Sequence, residues 1–104
     1  MMRVIAFSAL RAFWHEHRDA EQPLRAWYHE VKLANWDSPT KIKDNYRTAS
    51  ILRGGRVVFN ISGNRFRLVC QINYSAQIAY VKFIGKHDDY DLIDAQTVNM
   101  KRGR

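Results

Sequence analysis

Residues 56–84 read RVVFNISGNRFRLVCQINYSAQIAYVKFI, and the fold follows from this stretch. Three runs rich in β-branched and aromatic residues, 56–62, 65–74 and 77–84, predict three strands. The breaks between them, Ser62-Gly63-Asn64 and Ser75-Ala76, are short enough to be hairpin turns. Hairpin links make neighbouring strands antiparallel. Alternation then sorts the side chains by face. Val57, Phe59 and Ile61, then Phe66, Leu68, Cys70 and Ile72, then Ala79, Val81 and Phe83 are expected to face a core. The other face carries Arg56, Val58 and Asn60; Arg65, Arg67, Val69, Gln71 and Asn73; and Ile78, Tyr80, Lys82 and Ile84.

Upstream, the period changes. Residues 3–7 (RVIAF) read as a short strand. Leu10, Phe13, Trp14 and His17 fall at helical spacing, with Ser8 as the expected N-cap. Asp19 with Gln22, followed by Pro23, marks a second helix start. Its apolar stripe of Leu24, Trp27, Tyr28 and Val31 carries it to about Asn35. Ser38-Pro39 restarts a short helical turn to about Asp44, and residues 45–55 form a connector ending in Gly54-Gly55. After Gly85, the stretch from Asp88 to about Val98 reads as a short helix with acids at its positive end. The order β-α-α-β-β-β-α defines an α+β domain, with two N-terminal helices on one face of a small antiparallel sheet. One domain accounts for residues 1–104, with 99–104 expected to fray.

The composition narrows the partner. Seventeen Lys and Arg face ten Asp and Glu, a net charge of +7. The pI near 9.9 favours a polyanion, with nucleic acid ahead of a membrane surface. The charge is uneven. Between Asp44 and Asp88 stand Arg47, Arg53, Arg56, Arg65, Arg67, Lys82 and Lys86 with no acid among them. An ordinary solvated sheet face mixes signs, whereas this face lacks acids, so it reads as an RNA surface. On it Arg56, Arg65 and Lys82 would meet phosphate, Asn60 would position the backbone and Tyr80 would stack on a base. No apolar run approaches the roughly 18 residues of a membrane span. Arg11 interrupts the N-terminal apolar stretch and no small-residue cleavage site follows, so a cytoplasmic protein is expected. A single cysteine, Cys70, gives no disulfide framework and no multi-cysteine zinc site.

Catalytic chemistry concentrates in one segment. His15 and His17 point to different sides of a helix, and neither they nor His29 show metal-ligand spacing. Asp88, Asp89 and Asp91 read more simply as helix-start acids than as a magnesium cluster, and no metal or other cofactor is expected. Gly85-Lys86-His87-Asp88-Asp89-Tyr90-Asp91 is different, because His87 can move a proton at the end of the basic strand. RNA brings its own nucleophile, the 2′-hydroxyl. A metal-free ribonuclease needs a group to take that proton, a cation for the phosphorane, and an acid for the leaving oxygen. His87, Arg67, Lys86 and Tyr90 are of those types.

Val57-Val58-Phe59-Asn60-Ile61-Ser62-Gly63-Asn64-Arg65-Phe66-Arg67-Leu68-Val69, with the segment Gly85–Asp91, resembles the HigB branch of the RelE/ParE toxin superfamily. Arg3-Val4-Ile5, Ala9-Leu10-Arg11, Pro23–Tyr28 and Trp36 before Ser38-Pro39 agree with it. The resemblance implies a RelE-like fold and a type II toxin that cuts mRNA on the ribosome by 2′-hydroxyl attack without metal. It implies neutralisation by a HigA-type helix-turn-helix antitoxin, through whose complex alone the toxin would meet operator DNA. Carried over residue by residue, the sheet arginine that contacts phosphate in RelE aligns with Arg67. The two RelE strand lysines align with Val58 and Asn60, so those cations are absent. His87 stands where RelE has its proposed acid, with Lys86 retained beside it. Tyr90 does not align with the C-terminal tyrosine of RelE. Two other readings stay open: a non-catalytic RNA- or ribosome-binding module, and a ParE-like gyrase poison.

Overall fold

A computed structural model describes residues 1–100. Strand β1 (Arg3–Ile5) leads into helix α1 (Phe7–Glu16). A 3-10 turn at Arg18–Ala20 joins it to α2 (Glu21–Leu33), and α3 (Pro39–Asn45) follows. The two-residue strand β2 (Ser50–Ile51) precedes β3 (Arg56–Ile61), β4 (Phe66–Asn73) and β5 (Ile78–Lys86). Helix α4 (His87–Tyr90) grows directly from the end of β5.

The strands lie in the order β1-β5-β4-β3-β2. β3, β4 and β5 form the expected antiparallel meander. The expectation of a wholly antiparallel sheet is corrected at the edge: β1 pairs with β5 in parallel, Arg3 opposite Ile78. Parallel neighbours need a long crossover, and here the helices and three intervening strands supply it. β2 is a second addition, pairing antiparallel with β3 inside the stretch read as a connector.

The helices cover one face. Leu10 and Trp14 of α1, Leu24, Trp27 and Val31 of α2, and Ile42 of α3 are buried in one cluster with Val57, Phe59, Leu68, Cys70 and Ala79. Phe59 is its aromatic hub. Trp27 meets it edge-on at 5.4 Å, Trp36 stacks on it at 5.9 Å, and Tyr46 meets it edge-on at 5.2 Å. Such pairs add roughly 0.5–1.5 kcal/mol each beyond the area they bury. Burial pushes the Cys70 thiol well above its usual range against the pull of Arg56, which makes it a core residue and not a nucleophile. Burial, reinforced by the Glu30 carboxylate that accepts its hydroxyl, likewise raises Tyr46.

One register shift changes the face assignment. Val69 lies opposite Phe83 and Cys70 opposite Val81, so Lys82 is an extra residue in β5. Beyond this bulge the alternation inverts. Ile84, expected outside, joins the core, and Phe83, expected inside, turns to the open face. Gly85 allows it: a Cβ there would lie 2.6 Å from the Phe83 ring.

The C-terminal segment supplies a second correction. Only His87–Tyr90 is helical in the stretch expected to run as a helix to Val98. Asp94 instead holds a turn, its carboxylate accepting from the Gln96 amide at 2.9 Å and its carbonyl from Thr97 and Val98. The chain then crosses the face away from the helices. Arg56 donates to the carbonyls of Ala95 (3.1 Å) and Val98 (2.7 Å), and Gln96 exchanges hydrogen bonds with the Arg53 backbone. Lys82 donates to Asn99, and Met100 packs against the core. The remainder of the tail expected to fray, 101–104, lies outside the described residues. Val58 and Val69 on this face are buried, and so is Arg56, at 9% exposure.

Arg56 therefore spends its donors inside the protein, on Gln71 and two carbonyls. Arg56→Ala leaves those part-buried acceptors without a donor and is expected to lower unfolding stability by about 1–3 kcal/mol. Urea denaturation measures the loss. Faster proteolysis after residue 90 would accompany it.

Candidate functional site

The site is assembled where the β3–β4 turn meets the end of β5. Ser62 and Gly63 take positive φ, which turns the chain tightly and leaves Asn64 beside the start of β4. Asn64 holds Arg67 twice: its side-chain oxygen accepts from one guanidinium nitrogen at 2.7 Å and its carbonyl from another at 3.3 Å. Register sets Arg67 between Asn60 on β3 and Gly85 on β5. Gly85 offers no side chain, and the ring of Phe83 lies over it. Tyr90 stands 6.3 Å from Phe83, and the Arg67 guanidinium lies 5.7 Å from the Tyr90 ring. The arginine is thus half-buried, fixed by Asn64 and flanked by an aromatic, with no carboxylate among the described residues bonded to it. A guanidinium held this way presents its remaining N–H donors to an anion in a set orientation.

His87 is placed by the same turn. Its amide donates to the Arg65 carbonyl at 3.1 Å, which ties the start of α4 to the strand bearing Arg67. Its Nδ1 lies 3.2 Å from Asp91 Oδ2. The imidazole is 39% exposed, open enough to reach a ligand. His87 and Tyr90 lie three residues apart on α4, and the Arg67 guanidinium reaches the Tyr90 ring, so the short helix brings histidine and tyrosine to the same end of the sheet as the arginine. Oxygens of Asp88 and Asp91 and a His87 nitrogen lie within 4.8 Å of one another. Both carboxylates are exposed, and the one within ion-pair distance of the imidazole is that of Asp91.

The remaining expected residues divide. Asn60 stays with the group as the register partner of Arg67 and donates to the Thr48 carbonyl at 3.3 Å. Lys86 is exposed but sits opposite Phe66, on the face that the helices cover. Arg65 is exposed and bonded to Asp19, which ties the β3–β4 turn to the α1–α2 junction. Asp19 in turn is no helix cap; α2 starts after Ala20 without a side-chain cap, and α1 starts before Ser8. Tyr80 and Lys82 form their own pair, with the ammonium 5.6 Å from the ring. Tyr80 lies opposite Gln71, four positions along β4 from Arg67, a span of about 14 Å at the antiparallel rise per residue. Arg56 is buried as described and offers no surface to RNA. Sequence reasoning passed over Asp91 as a partner for His87, although the spacing of four in a helical segment was its signal.

An α+β domain with a five-stranded mixed sheet, helices on one face, and an arginine, a histidine and a tyrosine gathered at one end is compatible with a RelE-like toxin. A family model described as HigB toxin, RelE-like toxic component of a toxin-antitoxin system, matches residues 20–93. The chain belongs to this HigB toxin family, and its function as a toxin pairs it with an antitoxin. No curated protein matches the chain. Among the described residues no helix is long and apolar enough to cross a membrane.

Proposed function

We propose that this toxin is an endoribonuclease that cuts mRNA on the ribosome in the cytoplasm. The observation that carries the reading is Arg67, fixed by Asn64 and lying beside Tyr90, on the same short helix as an accessible His87. In the step, the RNA 2′-oxygen attacks its neighbouring phosphorus. A bond to that oxygen forms and the bond to the 5′-oxygen breaks. His87 takes the 2′-hydroxyl proton, and solvent protonates the departing 5′-oxygen. Arg67 balances the charge that gathers on the phosphorane. Tyr90 presents a ring against which a base can stack, and Asn60 lies beside Arg67 to position the strand. No residue in this scheme requires a metal ion or other cofactor. Lys86, at the rim, adds long-range attraction to RNA phosphate. A HigA-type antitoxin would neutralise the toxin, and operator DNA would be met through that complex.

The test is to induce the wild-type toxin and map mRNA 5′ ends. New ends inside translated frames are expected, bearing 5′-hydroxyls, with 2′,3′-cyclic phosphates upstream. Arrest without new mRNA ends but with broken DNA would instead place the chain among gyrase poisons. Arrest with neither would leave a non-catalytic ribosome binder.

A further inference from the structure

We infer that Asp91 is the positioning residue for His87, holding the proton on Nδ1 and leaving Nε2 as the acceptor. The inference deepens the endonuclease reading and rests on it for its catalytic meaning. The geometry comes from α4. Asp91 follows the last helical residue and keeps helical φ and ψ, so it stands one turn beyond His87. Its amide donates to the His87 carbonyl at 3.1 Å and its Oδ2 lies 3.2 Å from the imidazole Nδ1. The His87 amide is itself bonded to the Arg65 carbonyl. Both ends of this turn are therefore fixed, and the carboxylate meets one particular ring nitrogen.

A carboxylate only accepts, and a neutral imidazole carries one proton. The proton belongs on the nitrogen facing Asp91. Nε2 then bears the lone pair and can take a proton from a 2′-hydroxyl, and the imidazolium so formed faces a negative charge. The pair does little for stability, because Asp91 is 57% exposed and exposed ion pairs contribute little. Asp88 is the natural control. It lies on the same helix and carries the same charge, and its carboxylate is not within ion-pair distance of the imidazole.

The experiment uses the free toxin, released from its antitoxin, as wild type, Asp91→Asn, Asp91→Glu and Asp88→Asn. Long-range proton–nitrogen NMR reads the His87 tautomer directly. Single-turnover cutting at saturating programmed ribosomes reads the rate, and co-sedimentation reads ribosome affinity. In wild type the Nδ1–H form is expected. In Asp91→Asn the tautomers mix, and the rate falls about tenfold at unchanged affinity, less than for a buried orienting carboxylate. Asp91→Glu recovers part of the rate, and Asp88→Asn moves neither readout. A wild-type Nε2–H tautomer overturns the inference, as does an Asp88→Asn variant that shifts the tautomer as far as Asp91→Asn. If wild type cuts no mRNA, the endonuclease reading fails, while the tautomer still decides whether Asp91 holds His87.

Discussion

Replacing His87 by alanine is expected to slow mRNA cutting by about 10²–10⁴-fold, the span over which a positioned acid or base acts. Growth arrest on induction should disappear with it. The fold should not suffer. The ring is partly exposed, its side-chain partner is one exposed carboxylate, and the amide bond to the Arg65 carbonyl does not need the ring. Ribosome association should persist, because the cations around the site remain. Circular dichroism, co-sedimentation with ribosomes and single-turnover cutting separate these quantities. An alanine variant that still arrests growth and cuts at the wild-type rate would remove His87 from the chemistry.

Arg67→Ala should cost about 10²–10³-fold in the cutting step, as for the loss of one preorganised donor to a developing anion. Arg67→Lys is not expected to rescue it. Two of the arginine's bonds go to Asn64, and a lysine has one nitrogen for both the anchor and the phosphate. Asn64→Ala should therefore weaken the rate in the same direction without removing the charge. The expected signature is a fall in single-turnover rate larger than the fall in ribosome affinity. Equal falls would make Arg67 a binding cation only.

The meander was legible because hairpins are local. Alternation along 56–62, 65–74 and 77–81 named the core correctly through Val81. It failed at Lys82, where one inserted residue reverses every face after it. Gly85 was the available signal, since glycine inside a strand often marks a bulge or a close approach. β1 was legible as a strand, but not its parallel docking on β5, which depends on how the helices cross over. Arg56 shows the limit of reading charge as surface. Nothing within its strand reveals that two carbonyls some forty residues later will claim its nitrogens. The ion pair of Arg65 was out of sight for a related reason, because Asp19 lies far off in the chain and beside it in space. The Gly85–Asp91 segment was legible because its chemistry is local. His87, Tyr90 and Asp91 come together through one turn of helix.

The parallel pairing of β1 has a consequence for the order in which the chain matures. β3, β4 and β5 meet through short turns and can pair as soon as they are made. Arg3 must wait for Ile78 before its strand has a partner. The sheet edge formed by β1 closes only once β5 is present, and His87, Tyr90 and Asp91 follow β5 in the chain. The candidate site therefore cannot form before the sheet edge that it extends, and its assembly follows that of the core.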